Sequence, residues 1–169
     1  MDSEEEKQPI VVIKIDHINI FGEPQYMRVS TDIHDDRTHF DINVKLIREL
    51  GSNFLFLNVR LRVKAQGADH FVRMVEWKRL DFCGFLTEYN TNEVMRFMFR
   101  KSVQWKEIIG CPVRIGNYTI HSINVADSMY PANLQSGIYK FFVEVVEGNG
   151  EIAKVFAMQV TTMVNVTQE

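Results

Sequence analysis

Leu55-Phe56-Leu57-Asn58-Val59-Arg60-Leu61-Arg62-Val63-Lys64 is the stretch that decides the fold class. Leu55, Leu57, Val59, Leu61 and Val63 take every second position, and Asn58, Arg60, Arg62 and Lys64 fall between them. Successive side chains of a strand point to opposite faces, so this period describes a strand with one face buried and the other solvated. Upstream, Phe40, Ile42, Val44 and Leu46 alternate in the same way with Asp41, Asn43 and Lys45, and Gly51-Ser52-Asn53 separates the two runs. The pair is expected to form an antiparallel hairpin.

Working outward, strand patterns continue in both directions. Residues 10–15 form a short apolar run rich in β-branched side chains, broken by Gly22-Glu23-Pro24. Over 26–33, Met27, Val29, Thr31 and Ile33 share one side. Downstream, 71–77 reads as a strand reached through Gln66-Gly67-Ala68-Asp69. Gly148-Asn149-Gly150 lies between strand patterns at 139–146 and 152–164, the second with Phe156, Met158, Val160 and Val164 on one face. An Asn-Gly turn between such runs predicts a hairpin. One segment breaks the β pattern: Asn90-Thr91-Asn92 offers helix-capping side chains, and the next eight residues contain neither Gly nor Pro. A short helix is expected over 92–104, its wide apolar arc of Val94, Met95, Phe97, Met98 and Phe99 sunk into the domain or shading a cavity. Short strands at regular spacing around one helix predict an all-β, antiparallel β-sandwich of about seven to nine strands. It forms a single domain over 9–169, behind a flexible acidic tail at 1–8.

Composition narrows the partners. The 169 residues are 46% hydrophobic and 24% charged, ordinary for a globular domain. A net charge of -3 with no Lys/Arg stripe gives no attraction to phosphate backbones, so nucleic acid is excluded as an expected partner. No apolar run approaches the ~20 residues that span a bilayer. The start, Met1-Asp2-Ser3-Glu4-Glu5-Glu6-Lys7, is acidic rather than a basic segment leading into an apolar one. Two sequons, Asn117-Tyr118-Thr119 and Asn165-Val166-Thr167, make Asn117 and Asn165 candidate glycosylation sites if the chain follows the secretory route. Cys83 and Cys111 are the sole cysteines; such a pair is reduced and buried in a cytosolic protein and bridged in a secreted one.

Chemistry is sparsely represented. His34, Asp35, Asp36 and His39 are metal-ligand types within six residues, but they lack a spacing that would converge them, and a solvated connection between strands is the expected reading. No nucleophile elbow, phosphate-cradling glycine loop or zinc-protease motif is present. Cys83 or Cys111 as a nucleophile would need a histidine such as His121 in reach, and a cysteine followed by Pro112 is not placed at a helix N-terminus. No enzyme activity and no cofactor are expected. The 12 Phe and 8 Met carry more information. Phe97, Met98, Trp105, Ile108, Met129 and Tyr130 concentrate around the expected helix and the cysteines, either as core or as a pliable wall for ligands of variable shape.

Taken in order, Cys83-Gly84-Phe85-Leu86, then Cys111-Pro112, then Gly116-Asn117-Tyr118, then Pro131 to Leu134 leading to Gly137-Ile138-Tyr139 resemble the cysteine-bearing segment of the insect CheB-type secreted family. A weaker form of the pattern is similar to the ganglioside activator and the wider ML lipid-recognition family. The likeness covers about the second half of the chain, from Trp77 to Val146, and departs from the ganglioside activator in having one cysteine pair rather than several. It implies an immunoglobulin-like sandwich, secreted, with a lipid or other small hydrophobic ligand between its sheets. For the CheB-type group it implies a chemosensory setting, in gustatory or pheromone response. It also implies a Cys83–Cys111 disulfide. The six aromatic, Met and Ile side chains named above are the expected ligand-binding residues, and a receptor or membrane surface is a further expected partner. The competing expectation is a sandwich that binds another protein through its surface and has a filled core.

Overall fold

The computed structural model describes residues 9–52, 54–87, 111–126, 134–149 and 151–167. The tail at 1–8, the helix expected over 92–104, and Phe97, Met98, Trp105, Ile108, Met129 and Tyr130 lie outside the described residues. Eight strands and one helix are described: β1 (Ile10–Gly22), β2 (Met27–Ile33), β3 (His39–Leu46), β4 (Phe54–Ala65), β5 (Val72–Asp81), α1 (Phe82–Thr87), β6 (Gly116–Asn124), β7 (Gly137–Asn149) and β8 (Glu151–Thr167). They form a five-stranded sheet in the order β1-β8-β7-β4-β5 and a three-stranded sheet in the order β2-β3-β6. Every pairing is antiparallel. The chain is thus a β-sandwich, and the alternating apolar sets of the two sheets meet in one core.

The expected hairpin between β3 and β4 does not form. β3 pairs with β2 and β6, whereas β4 pairs with β5 and β7 in the other sheet. The chain therefore crosses from one layer to the other between β3 and β4. The alternation is the same in both cases, because two strands facing each other across a core bury alternate side chains just as two neighbours in one sheet do. Alternation reports which face is buried, not which strand lies alongside.

β1 extends well beyond residue 15. Its register shifts between Ile15 and His17, leaving Asp16 as a β-bulge, and beyond it Ile18 and Ile20 take over the inward side from Ile13 and Ile15. That slip hid the second half of the strand from a period-two reading. Arg37, in the left-handed region at φ 55°, ties the bulge to the turn before β3. Its Nε donates to Ile15 O at 2.8 Å and its guanidinium to Asp16 O at 2.6 Å, while Ile15 N donates to Arg37 O at 2.7 Å. The second expected hairpin does form: β7 and β8 stay paired as far as Asn149 and Glu151.

The two Gly-x-Tyr motifs do the same work at the starts of β6 and β7. Tyr118 Oη donates to Arg114 O at 2.6 Å, and Tyr139 Oη donates to Gln135 O at 2.8 Å. Each ring closes the incoming loop onto its strand, as the tyrosine corner of immunoglobulin-like sandwiches does. Gly137 is required by close approach: a Cβ there would lie 2.4 Å from Lys64 O and 3.0 Å from Ala65 Cα. Backbone cannot swing aside as a side-chain tip can, so Gly137→Ala is expected to lower stability by about 1–3 kcal/mol. A urea midpoint matching wild type would show that β7 does not approach β4 so closely.

Candidate functional site

The inward side chains do not fill the space between the sheets. A cavity of about 160 Å³ remains, and its exposed wall is wholly apolar. The three-stranded sheet supplies Met27, Phe40, Ile42, Val44, Leu46, Tyr118, Ile120 and Ile123, and the facing sheet supplies Leu55, Leu57, Phe141, Val143, Val145, Phe156 and Met158. Leu50, Phe82 and Val113 complete the wall. An engineered apolar cavity of about 150 Å³ stays dry and binds benzene, so a space of this size and lining suits a ring or a short alkyl segment.

The last three residues belong to segments held by the disulfide. Cys83 and Cys111 are bridged, with Cα atoms 5.6 Å apart. Phe82 precedes one cysteine in α1, and Val113 follows the other by two positions. Leu50 and Val113 form an antiparallel bridge, with Leu50 N donating to Val113 O at 3.0 Å and Val113 N to Leu50 O at 2.7 Å. Gly51, at φ 83°, passes so near the bridge that a Cβ would lie 3.0 Å from Cys111 Sγ and 3.1 Å from Cys83 Sγ. Asp81 Oδ1 accepts the Gly84 N–H at 3.1 Å, capping the six-residue α1 and setting Phe82 against the core. The helix, the sheet-to-sheet crossing and the start of the chain into β6 are thereby fastened together at one end of the sandwich.

A carboxyl group lies at the same end. Glu147 stands directly opposite Leu55 in the β4–β7 ladder, two residues beyond Val145, so its side chain leaves the sheet on the inner face, beside the cavity wall but not among the residues that line it. It is 2% exposed, and its Oε2 has no hydrogen-bond partner among the described residues. Burial raises its pKa above the usual carboxylate value, and the Arg48 charge acts the other way. The strand expected over 139–146 stopped one residue short of it. The signal was nonetheless present, since Glu147 continues the parity of Tyr139, Phe141, Val143 and Val145.

The cysteine pair implied by the resemblance is therefore formed. Asn117 on β6 and Asn165 on β8 both have exposed side chains, in strands rather than loops. The histidine-carboxylate group separates into two pairs. His34 Nε2 lies 2.9 Å from Asp41 Oδ1, and His39 Nδ1 lies 2.7 Å from Asp36 Oδ2. Asp36 also accepts the backbone N–H groups of Thr38 at 2.9 Å and His39 at 3.2 Å, shaping the turn that contains the exposed Asp35. The Thr38 N–H leads in holding the Asp36 carboxyl below its ordinary range, and the Ser122 N–H leads in doing the same for Asp41. Among the described residues no group of three or more His, Cys, Asp and Glu side chains is placed to hold a metal ion. Among the same residues no helix is long and apolar enough to cross a membrane.

The family described as "Protein of unknown function (DUF1091)" matches residues 57–141, half of the chain. The matched segment runs from Leu57 on β4 through α1 and both cysteines to Phe141 on β7. It stands in the same ML/CheB-like context as the cysteine motifs. No curated protein matches the chain.

Proposed function

The chain belongs to the DUF1091 family, whose description names no activity, and we propose that it is a soluble secreted protein that holds a lipid or other small hydrophobic ligand between its two sheets. The observation that carries this reading is the unfilled, wholly apolar cavity of about 160 Å³. At ~24 cal/mol per Å³, a void of that volume costs the empty fold about 4 kcal/mol. A sandwich selected only for its surface would have been free to close it with one larger side chain. A ligand offsets the cost directly, since each methylene moved from water into such a site contributes about 0.8 kcal/mol. The disulfide favours an oxidising compartment. The finer reading, a CheB-type chemosensory carrier in gustatory or pheromone perception that passes its ligand to a receptor or membrane surface, rests on the motif resemblance. Binding and release need no catalytic residue.

Native mass spectrometry of the purified protein, with titration of a fluorescent naphthylamine probe, tests the proposal. Val143→Phe supplies the decisive comparison, because Val143 lines the cavity. Filling a real void is expected to weaken probe binding at least tenfold with no loss of melting temperature. In a filled core the same ring would overpack and lower stability by about 1–3 kcal/mol. A destabilised variant whose probe binding is unchanged would sink the carrier reading.

A further inference from the structure

We propose that the outer face of the five-stranded sheet binds a sulfated polysaccharide, through a row of cations set side by side across three strands. Arg62 stands opposite Lys140 in the β4–β7 ladder and opposite Arg73 in the β4–β5 ladder. Along β4 it alternates with the buried Leu61 and Val63, as Lys140 alternates along β7 with the buried Tyr139 and Phe141, so both side chains leave the sheet away from the core. Arg60 and Lys64, on the same face of β4, flank Arg62 above and below the row. The patch spans about 10 Å across the strands, at ~4.8 Å per strand. Positions 62, 73 and 140 are far apart in the chain, so the row exists only through the strand register, in a protein whose net charge is -3.

Like charges directly opposite one another destabilise a ladder. Glu76 pairs with Arg73 and Lys78, and Glu144 with Lys154, but among the described residues no carboxylate pairs with Arg60, Arg62, Lys64 or Lys140. Two of these heads are held down on rings: Arg60 Cζ lies 4.6 Å from the Phe142 centroid and Lys140 Nζ 4.5 Å from that of Phe71. A polyanion converts the repulsion into charge-assisted hydrogen bonds, and the guanidinium fork suits an oxyanion such as sulfate. The shape of the patch selects the kind of polyanion. Both acids lie on one side of the row, Glu76 opposite Arg60 and Glu144 opposite Asn58. A narrow chain laid along the row meets cations alone, whereas a bilayer covering the face would meet the acids too. Stable protein interfaces keep charge out of their centre, and here charge is the centre. The disulfide speaks against the cytosol and the nucleus, and so against nucleic acid.

Calorimetric titration with a size-defined heparin oligosaccharide, repeated at rising salt, tests the row. Wild type should bind, and more weakly as salt screens the contacts. Arg62→Gln should lose about tenfold, with a melting temperature equal to wild type or higher, because removing the central charge relieves its neighbours. Lys45→Gln, at an exposed position on the other sheet, should bind as wild type does. So should Val143→Phe, whose ring fills the cavity on the opposite face of the sheet, which keeps this inference apart from the carrier reading. Absence of binding by wild type at low salt, or equal losses in Arg62→Gln and Lys45→Gln, would overturn the proposal. Tighter binding to phosphatidylserine vesicles, single-stranded DNA or polyglutamate at equal charge concentration would overturn the choice of partner. Lys64→Gln repeats the comparison if Arg62→Gln does not fold.

Discussion

Opening the Cys83–Cys111 bridge, by reduction or in the Cys83→Ser/Cys111→Ser double variant, is expected to lower stability by about 3.5 kcal/mol. The cysteines are 28 positions apart, and a cross-link over that span removes loop-closure freedom from the unfolded chain. The loss is a large part of the ~5–15 kcal/mol that holds a domain of ordinary stability together. Probe binding should suffer as well, because the bridge fastens the segments that place Leu50, Phe82 and Val113 in the cavity wall. Urea unfolding with and without reductant measures the first effect, and probe titration in the folded baseline measures the second. Coincident unfolding curves would remove the bridge from any part in stability. Intact mass after alkylation of the denatured, non-reduced protein should show no modified thiol.

Phe40→Ala is expected to cost about 3–5 kcal/mol, the upper range for single core truncations. Phe40 is 1% exposed on β3 and already borders the void, so the alanine would widen a space that its neighbours do not fill. A saturating ligand should return part of that loss. At a free concentration a hundred times its Kd, a ligand specific for the folded state adds about 2.7 kcal/mol. Chemical denaturation of the variant, alone and with ligand, reads both quantities. A cost under about 1 kcal/mol would mean that the wall collapses onto the missing ring, and the cavity would then be too soft to define a site.

Alternation in residues 55–63 and 40–46, with the strand patterns and turn signals on either side of them, was enough to assign the class of fold and most of its strands, because burial on one face writes itself into the sequence with period two. Layer membership was not legible. Nothing in Phe40, Ile42, Val44 and Leu46 distinguishes a neighbour in the same sheet from a partner across the core. Bulges were also opaque: at Asp16 a single extra residue reverses the parity of β1. The six-residue α1 makes fewer than two helical turns, too few for a periodicity to show, and lay inside a motif valued for its cysteines. For the site, the sequence pointed to aromatic, Met and Ile residues that lie outside the described residues, and it had counted the described wall as plain core. Side chains that line an apolar cavity are chemically the same as those that fill one. Glu147 differs, since a carboxylate at an inward position of an apolar strand is an exception that burial alone does not explain.

The pairing of β1 with β8 has a consequence for how the molecule comes together. Ile10 lies opposite Thr167, and the ladder continues to Gly22 opposite Phe156. During synthesis the apolar side chains of β1 must wait for a strand made some 150 residues later, as the Ile10–Thr167 register requires. The five-stranded sheet gains this edge only after translation of β8, and contacts so distant in sequence belong to slow folding, in the millisecond-to-second range common for sandwiches. Throughout that interval Ile13 and Ile15 are available to any other unpaired strand, including one on another copy of the chain. Yield on expression should therefore respond more to chaperone supply and chain concentration than the stability of the finished sandwich would suggest.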